Sequence, residues 1–213
     1  MRILITSGPT RAPLDAVRFL SSRSTGRFGT LLAREALRRG VRVTLIHGRG
    51  SETPPPHPGL RKVEIETNRD LATTLKRELT GRRYDAVIHA MAVLDFQPVK
   101  VRRGKVGSRK GTWVVRLVPT RKIIHQIRRW APQTFLVGFK LEVRKKNLFR
   151  NARHLLRKSH ADLVVANQLG EGTDRWHAGY LIDHRRGVSR VVGKSSLAKE
   201  IIKKALAVSR EGL

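Results

Sequence analysis

Short apolar runs alternate along the chain with stretches in which apolar residues recur every three or four positions. RILITS, at the amino terminus, has the continuous apolar character of a strand buried on both faces. Phe28, Leu31, Leu32 and Ala36 then fall at i, i+3, i+4 and i+8, which is one face of a helix. Gly40 suits the carboxyl cap of that helix, and VRVTLIHG follows as a second strand. SETPPPHPG is a proline-rich surface loop, KVEIE a short strand, and NRDLATTLKREL a helix with Asn68 in place to cap it. YDAVIHAMAV, TFLVGF and ADLVVAN read as further strands, the last two separated by a basic helix over 147–158. LVPTRKII sets Pro119 and Thr120 ahead of another helix. GYLID and VSRVV form a terminal hairpin, and SSLAKEIIKKALAVS closes the chain as a helix.

Strands that alternate with helices imply a parallel sheet with helices on both faces. In such sheets ligands lie beyond the carboxyl ends of the strands. The loops to watch are therefore 7–27, 90–110, 138–146 and 167–176. A length of 213 residues suits one domain over 1–213.

Composition narrows the chemistry. The chain has no cysteine, which removes disulfides, thiolate zinc sites, iron–sulfur clusters and cysteine nucleophiles. It has eight histidines but no HExxH, and His177 and His184 at the ends of a predicted strand read as surface residues. No apolar run approaches the roughly 20 residues of a membrane helix, and the first apolar stretch is too short for a signal peptide. A soluble, cytoplasmic protein is expected. Lys and Arg number 45 against 16 Asp and Glu, a formal charge of +29. Such a field attracts polyanions or small phosphorylated substrates. The excess is spread along the whole chain, which equally suits solvated charged faces.

The first strand–helix connection is roughly 20 residues long, against about 2–6 in ordinary α/β units. It contains neither GxGxxG nor GxxxxGK[ST]. Ser24, Thr25, Gly26 and Gly29 place backbone N–H groups at a helix amino terminus, flanked by Arg18, Arg23 and Arg27. That suits an anion and equally suits a glycine turn. In AMAVLDFQP a strand delivers Asp95 to the carboxyl edge, where it suits Mg²⁺, a nucleotide hydroxyl or a turn. GKVGS offers Lys105 in a glycine-flanked loop, fit to neutralise charge on a phosphate or to be solvated surface. Phe139 in VGFKLE either stacks on a base or closes the core.

Together and in order, ILITSGPTRAPLDAVRFLSSRSTGRFG, AMAVLDFQP, GKVGS, LVPTRKII, VGFKLE and ADLVVAN resemble the phosphopantothenate–cysteine ligase family of coenzyme A biosynthesis. The resemblance implies a Rossmann-like three-layer αβα fold with a mainly parallel sheet, a C-terminal hairpin plus helix, and a homodimer. It implies a Mg²⁺-dependent reaction in two steps. CTP or ATP activates the carboxylate of 4'-phosphopantothenate as an acyl nucleotidylate, and the cysteine amine then forms the amide. No flavin is expected, and a separate phosphopantothenoylcysteine decarboxylase is a possible partner. By position, Lys105 matches the family's catalytic lysine. His89, Ala90, Met91, Asp95, Thr120, Arg121, Lys122, Ile123 and Phe139 match nucleotide contacts. Gly8, Ser24, Gly26 and Gly29 match the glycine-rich anion loop. The residues that hold the metal are not assigned.

The chain departs from the family pattern in several places. Ser22 stands where the family has an essential Asn for the second step, Gly8-Pro9-Thr10 replaces Gly-Gly-Thr, and Val106 replaces the Ile after the lysine. Leu155 and Ser159 occupy two lysine positions of the bacterial form, with Lys158 adjacent. Two rivals follow. One is a non-catalytic Rossmann-like protein that binds anions or nucleic acid, favoured by the charge and by Ser22. Sparse aromatics, 5%, argue against RNA stacking, and only non-specific nucleic-acid binding is expected. The other is a nicotinamide-dependent reductase, which lacks its glycines and its Tyr-x-x-x-Lys.

Overall fold

The computed structural model describes residues 1–170, 178–184 and 187–211. Residues 171–176 of the expected ligand loop, and His177, lie outside them. Strand β1 (Arg2–Ser7) is followed by a hairpin of β2 (Arg11–Pro13) and β3 (Phe19–Ser21), helix α1 (Arg27–Arg38), strands β4 (Arg42–Gly48) and β5 (Leu60–Ile65), helix α2 (Asn68–Gly81) and strand β6 (Ala86–His89). A second small antiparallel pair, β7 (Phe96–Pro98) with β8 (Leu117–Pro119), leads into α3 (Ile124–Trp130), β9 (Phe135–Glu142), α4 (Lys145–Ser159) and β10 (Leu163–Gln168). β11 (Ala178–Asp183), β12 (Val188–Val192) and α5 (Lys194–Glu211) complete the described chain.

The main sheet has eight strands in the order β12-β11-β10-β9-β6-β1-β4-β5. From β5 to β10 all neighbours are parallel, and β11 and β12 add an antiparallel edge. The fold is therefore α/β and Rossmann-like. Alternation along β1 builds its two cores. Ile3 and Ile5 pack with Leu32 of α1 and Ile201 of α5 on one face. Leu4 packs with Leu71 of α2, Ile127 of α3 and Leu148 of α4 on the other. The chain moves to β4 on one side of β1 and later to β6 on the other. The carboxyl ends of β1 and β6 thus flank the topological switch point, where such sheets open a crevice.

Several local expectations change. The buried face of α1 is Leu32, Ala33, Ala36 and Leu37, with Phe28 and Leu31 at its margin. The helix closes through Gly40 N–H to the Leu37 carbonyl and Val41 N–H to the Ala36 carbonyl, a Schellman pairing. Thr67, not Asn68, caps α2: Thr67 Oγ1 accepts from Asp70 N–H, and the Asp70 carboxylate accepts from Thr67 N–H. Asn68 Nδ2 instead donates to the Leu94 carbonyl at 2.8 Å. Pro119 ends β8, the Thr120 hydroxyl donates to Leu94, and α3 starts only at Ile124 with no side-chain cap. The long 7–27 connection is not featureless, since β2 and β3 lie inside it.

Candidate active site

A cleft of about 840 Å³ opens at the switch point, within the size range of small-molecule sites. Its floor is the carboxyl ends of β6, β9 and β10, with β1 running beside β6 in the sheet. Beyond the strands the two segments remain paired: Ala92 N–H donates to the Gly8 carbonyl and Thr10 N–H to the Ala92 carbonyl. His89 ends β6 and is 7% exposed. Its Nδ1 lies 2.8 Å from Thr6 Oγ1, which also accepts Met91 N–H at 3.3 Å. Burial pushes the imidazole down from 6.5 to about 4, so His89 is neutral at neutral pH.

Asp95 stands at the mouth. Its carboxylate Oδ1 accepts from Lys122 Nζ at 2.5 Å, and both side chains are more than half exposed. Its position is set by its neighbours' backbone. Thr120 N–H donates to the Asp95 carbonyl at 2.8 Å, the Thr120 hydroxyl to the Leu94 carbonyl at 2.6 Å, and Leu94 N–H to Thr10 Oγ1 at 3.0 Å. Thr10 and Asn68 are supports that sequence reasoning missed as site residues. Asn68 stood out only as a cap, and Thr10 lay inside a quoted motif without a role.

The walls carry Ser22, Ser24 and Phe28 on one side, residues 120–125 on another, and Phe139 with α4 opposite. Phe139 and Phe28 meet edge to face at 5.8 Å, so Phe139 both closes the core margin and lines the cleft. Along α4, His154, Leu155 and Lys158 face the cleft, one helical turn apart, while Ser159 is buried and donates to the Leu155 carbonyl. Lys158 thus supplies a cationic group where Leu155 and Ser159 do not. The field shows in His125: burial, then the charges of Lys122, Lys158, His154 and Arg129, lower its pKa. Among the described residues no group of three or more His, Asp or Glu converges to hold a metal ion.

Of the residues singled out from the sequence, Ser22, Ser24, His89, Ala90, Met91, Asp95, Thr120, Arg121, Lys122, Ile123 and Phe139 come together around this cleft. Gly8, Gly26 and Gly29 do not line it. They let neighbouring backbones approach closely: a Cβ on Gly8 would lie 1.9 Å from Ser51 Oγ in the turn after β4, and one on Gly29 in α1 would lie 2.0 Å from Ser7 Oγ at the end of β1. Lys105 also lies off the cleft, exposed in the 99–116 loop.

That loop is fastened by a residue the sequence did not flag. The Asp15 side chain is 0% exposed and pairs with Arg18 Nη1 at 2.6 Å. Its oxygens also accept N–H groups of Val17, Arg18 and Val106. Burial would raise the Asp15 carboxyl, but the hydrogen bonds from Val106, Val17 and Arg18 and the Arg18 charge outweigh it and lower the pKa to about 2. An Asp followed at i+2 and i+3 by free backbone donors is an Asx-turn signal. The partner at Val106 has no local signal.

A Rossmann-ordered sheet with a cationic cleft at its switch point defines the class: an α/β protein whose crevice is built for an anionic ligand. Within that class, the chain belongs to the family of the DNA/pantothenate metabolism flavoprotein C-terminal domain, whose pattern matches residues 1–208. It is similar to the Coenzyme A biosynthesis bifunctional protein CoaBC of Thermococcus kodakarensis, at 37% identity over 175 residues, 79% of this chain and 41% of that protein. The chain spans about half the length of the curated relatives it matches. The crystal structure of the DNA/pantothenate metabolism flavoprotein from Streptococcus pneumoniae superposes with a TM-score of 0.89 at 31% identity, over 97% of this chain and 99% of that one. A Cab2 variant solved in complex with phosphopantothenate-cysteine shares the fold, with a TM-score of 0.82 at 22% identity, over 97% of this chain and 85% of that one.

Proposed function

We propose that the chain joins 4'-phosphopantothenate to cysteine in coenzyme A biosynthesis, the ligase reaction of its family. The observation that carries this reading is the cleft's charge. Arg23, Arg121, Lys122, Lys140 and Lys158 line it, and the carboxylate among them is Asp95. Both a nucleoside triphosphate and phosphopantothenate are anions, and such a cleft holds them against their mutual repulsion. The relatives named for coenzyme A biosynthesis support the substrate class.

In this reading the carboxylate oxygen of phosphopantothenate attacks the α-phosphorus of the triphosphate. The bond to the bridging oxygen breaks and pyrophosphate leaves. The cysteine amine then attacks the acyl carbon, loses a proton, and expels the nucleoside monophosphate. Lys105 stabilises the charge that develops on the phosphate. Ser22 polarises the acyl carbonyl in the second step, with one donor on a shorter arm than the amide of an Asn. Neutral His89 offers a ring nitrogen to the ligand. The triphosphate is CTP or ATP. Mg²⁺, when bound, screens the triphosphate charge. Asp95, the carboxylate that lines the cleft, would be the residue to hold such a metal brought in with the nucleotide.

Incubation with phosphopantothenate, cysteine, Mg²⁺ and either CTP or ATP tests the reading and selects the nucleotide. Pyrophosphate appears only when acid and triphosphate are both present, and amide only when cysteine is added. Amide without nucleotide, or no product with either nucleotide, overturns it.

We further propose one domain over 1–213, a homodimer and a cytoplasmic location, with a separate decarboxylase consuming the product. Exposed apolar residues on the small sheets, Phe19, Phe96, Leu117 and Val118, support a self-associating face. Light scattering at micromolar protein measures the mass directly. Among the described residues no helix is long and apolar enough to cross a membrane.

A further inference from the structure

We infer that Asp15 is a positioning residue for Lys105: with Arg18 it clamps the Val106 peptide and so holds the Lys105 loop on the turn that runs into β3. The inference rests on the ligase reading for what Lys105 does, and on geometry alone for how Lys105 is held.

The 99–116 loop closes at its base through Val99 N–H to the Arg116 carbonyl. Its contacts then gather on one short turn, residues 14–18. Arg102 N–H donates to the Leu14 carbonyl at 3.0 Å. Val106 N–H donates to Asp15 Oδ2 at 3.1 Å, and Arg18 Nη1 donates to the Val106 carbonyl at 3.1 Å. The Arg18 guanidinium also lies 5.5 Å from the ring centre of Trp113. Both polar groups of Val106 are therefore gripped by one ion pair, and Val106 is the neighbour of Lys105.

The carboxylate is divided between two tasks. Asp15 Oδ1 accepts from Val17 N–H at 2.9 Å and Arg18 N–H at 2.8 Å, which shapes its own turn. Oδ2 takes Arg18 Nη1 and the distant Val106. Burying a carboxylate is costly unless its oxygens are fully used. The turn alone uses one oxygen and the local Arg18, and the other oxygen reaches 91 residues along the chain. The loop needs such a hold. Gly104 and Gly107 flank the Lys105–Val106 pair, and nothing lies within 4 Å of where a Cβ would stand on either. An untethered glycine-flanked lysine samples many positions, and ordering it costs conformational entropy. The same turn runs into β3, which ends one residue before Ser22. The clamp thus ties Lys105 to the strand that delivers Ser22 to the cleft.

Asp15→Asn is the sharpest probe. It keeps the shape but turns an NH₂ toward Arg18 and Val106, donor against donor. Three readouts are combined: pyrophosphate release, limited trypsin cleavage, and a double-mutant cycle with Lys105→Ala. Asp15→Asn should lower kcat for pyrophosphate release by roughly tenfold to a hundredfold, the scale of an about 1 Å misplacement, with KM for the nucleotide nearly unchanged. Trypsin should cut after Arg103 or Lys105 several-fold faster than in the wild type. In the Lys105→Ala background Asp15→Asn should cost little more, because the two act as one unit. Val106→Pro removes the loop-side donor while leaving the 14–18 turn intact; if Asp15→Asn folds poorly, it should reproduce the loss of kcat and the faster cut after Arg103, the bond after Lys105 being closed to trypsin once proline follows it. An unchanged kcat, unchanged cleavage, or full additivity with Lys105→Ala overturns the inference. A wild-type protein that releases no pyrophosphate overturns the ligase reading instead, and trypsin cleavage still decides whether the clamp holds the loop.

Discussion

The floor of the cleft and the Lys105 loop are held by different physics. The floor is the carboxyl ends of β6, β9 and β10, and β6 is backed by β1, whose pairing with it carries on past the strand ends through Gly8, Thr10 and Ala92. Two cores press on it from both sides, and Ile3, Leu4, Ile5 and Ile88 are each 0% exposed. The loop has no such backing. It stands in solvent and leans on one turn through Asp15 and Arg18. A site made this way fixes the cleft in the sheet itself and carries Lys105, the lysine proposed for the chemistry, on a tether. Its binding and its chemistry are therefore separable by mutation.

The largest effect expected from that contrast falls on the loop. Lys105→Ala should slow pyrophosphate release by roughly a hundredfold or more, the loss typical of removing a positioned charge stabiliser, while the melting temperature stays within a few degrees. Equal loss of stability and rate would erase the distinction between floor and tether.

The floor should show itself through His89. Its pKa in the fold lies at about 4, below the ordinary 6.5. The stability tied to neutral His89 is full above about 6.5 and is lost as pH falls toward about 4, about 3 kcal/mol in all. Nuclear magnetic resonance should find the His89 ring unchanged from pH 8 to about 5. Titration near 6.5 would mean that the floor is open to water.

Ser22 lies between the two regions, at the end of β3 and on the cleft wall. Ser22→Asn should speed amide formation, recovering part of the roughly hundredfold that misplacement costs, and leave pyrophosphate release nearly unchanged. A rapid quench of the wild type should then show acyl nucleotidylate building up. No build-up and no gain in Ser22→Asn would mean that another group carries the second step.

The smallest effect concerns the overall charge of +29. Nucleic-acid binding should be non-specific and in the roughly micromolar range or weaker at physiological salt. Tight, sequence-selective binding would give the charge a purpose apart from the cleft.

The same contrast decides what was legible in the sequence. Strands such as RILITS and ADLVVAN announce themselves because burial on both faces leaves an unbroken apolar run. The cleft residues from His89 to Asp95 follow from where such strands must end. The β7–β8 pair was illegible because its strands are three residues long and largely exposed. Thr67 was passed over as a cap because both Thr67 and Asn68 have capping side chains, and Asn68 is drawn away by the Leu94 carbonyl. Asp15 was invisible as a support of Lys105 because its partner Val106 contributes only backbone, which sequence does not mark.

The central claim is that the carboxylate of phosphopantothenate attacks the α-phosphorus of the nucleotide and the amide then forms at the acyl carbon. Phosphopantothenate carrying heavy oxygen in its carboxylate tests this most directly, with mass spectrometry of the spent nucleotide. Attack by the carboxylate, followed by amide formation at carbon, leaves one labelled oxygen in the nucleoside monophosphate. Label absent from the monophosphate, or found in inorganic phosphate or pyrophosphate, would contradict the account.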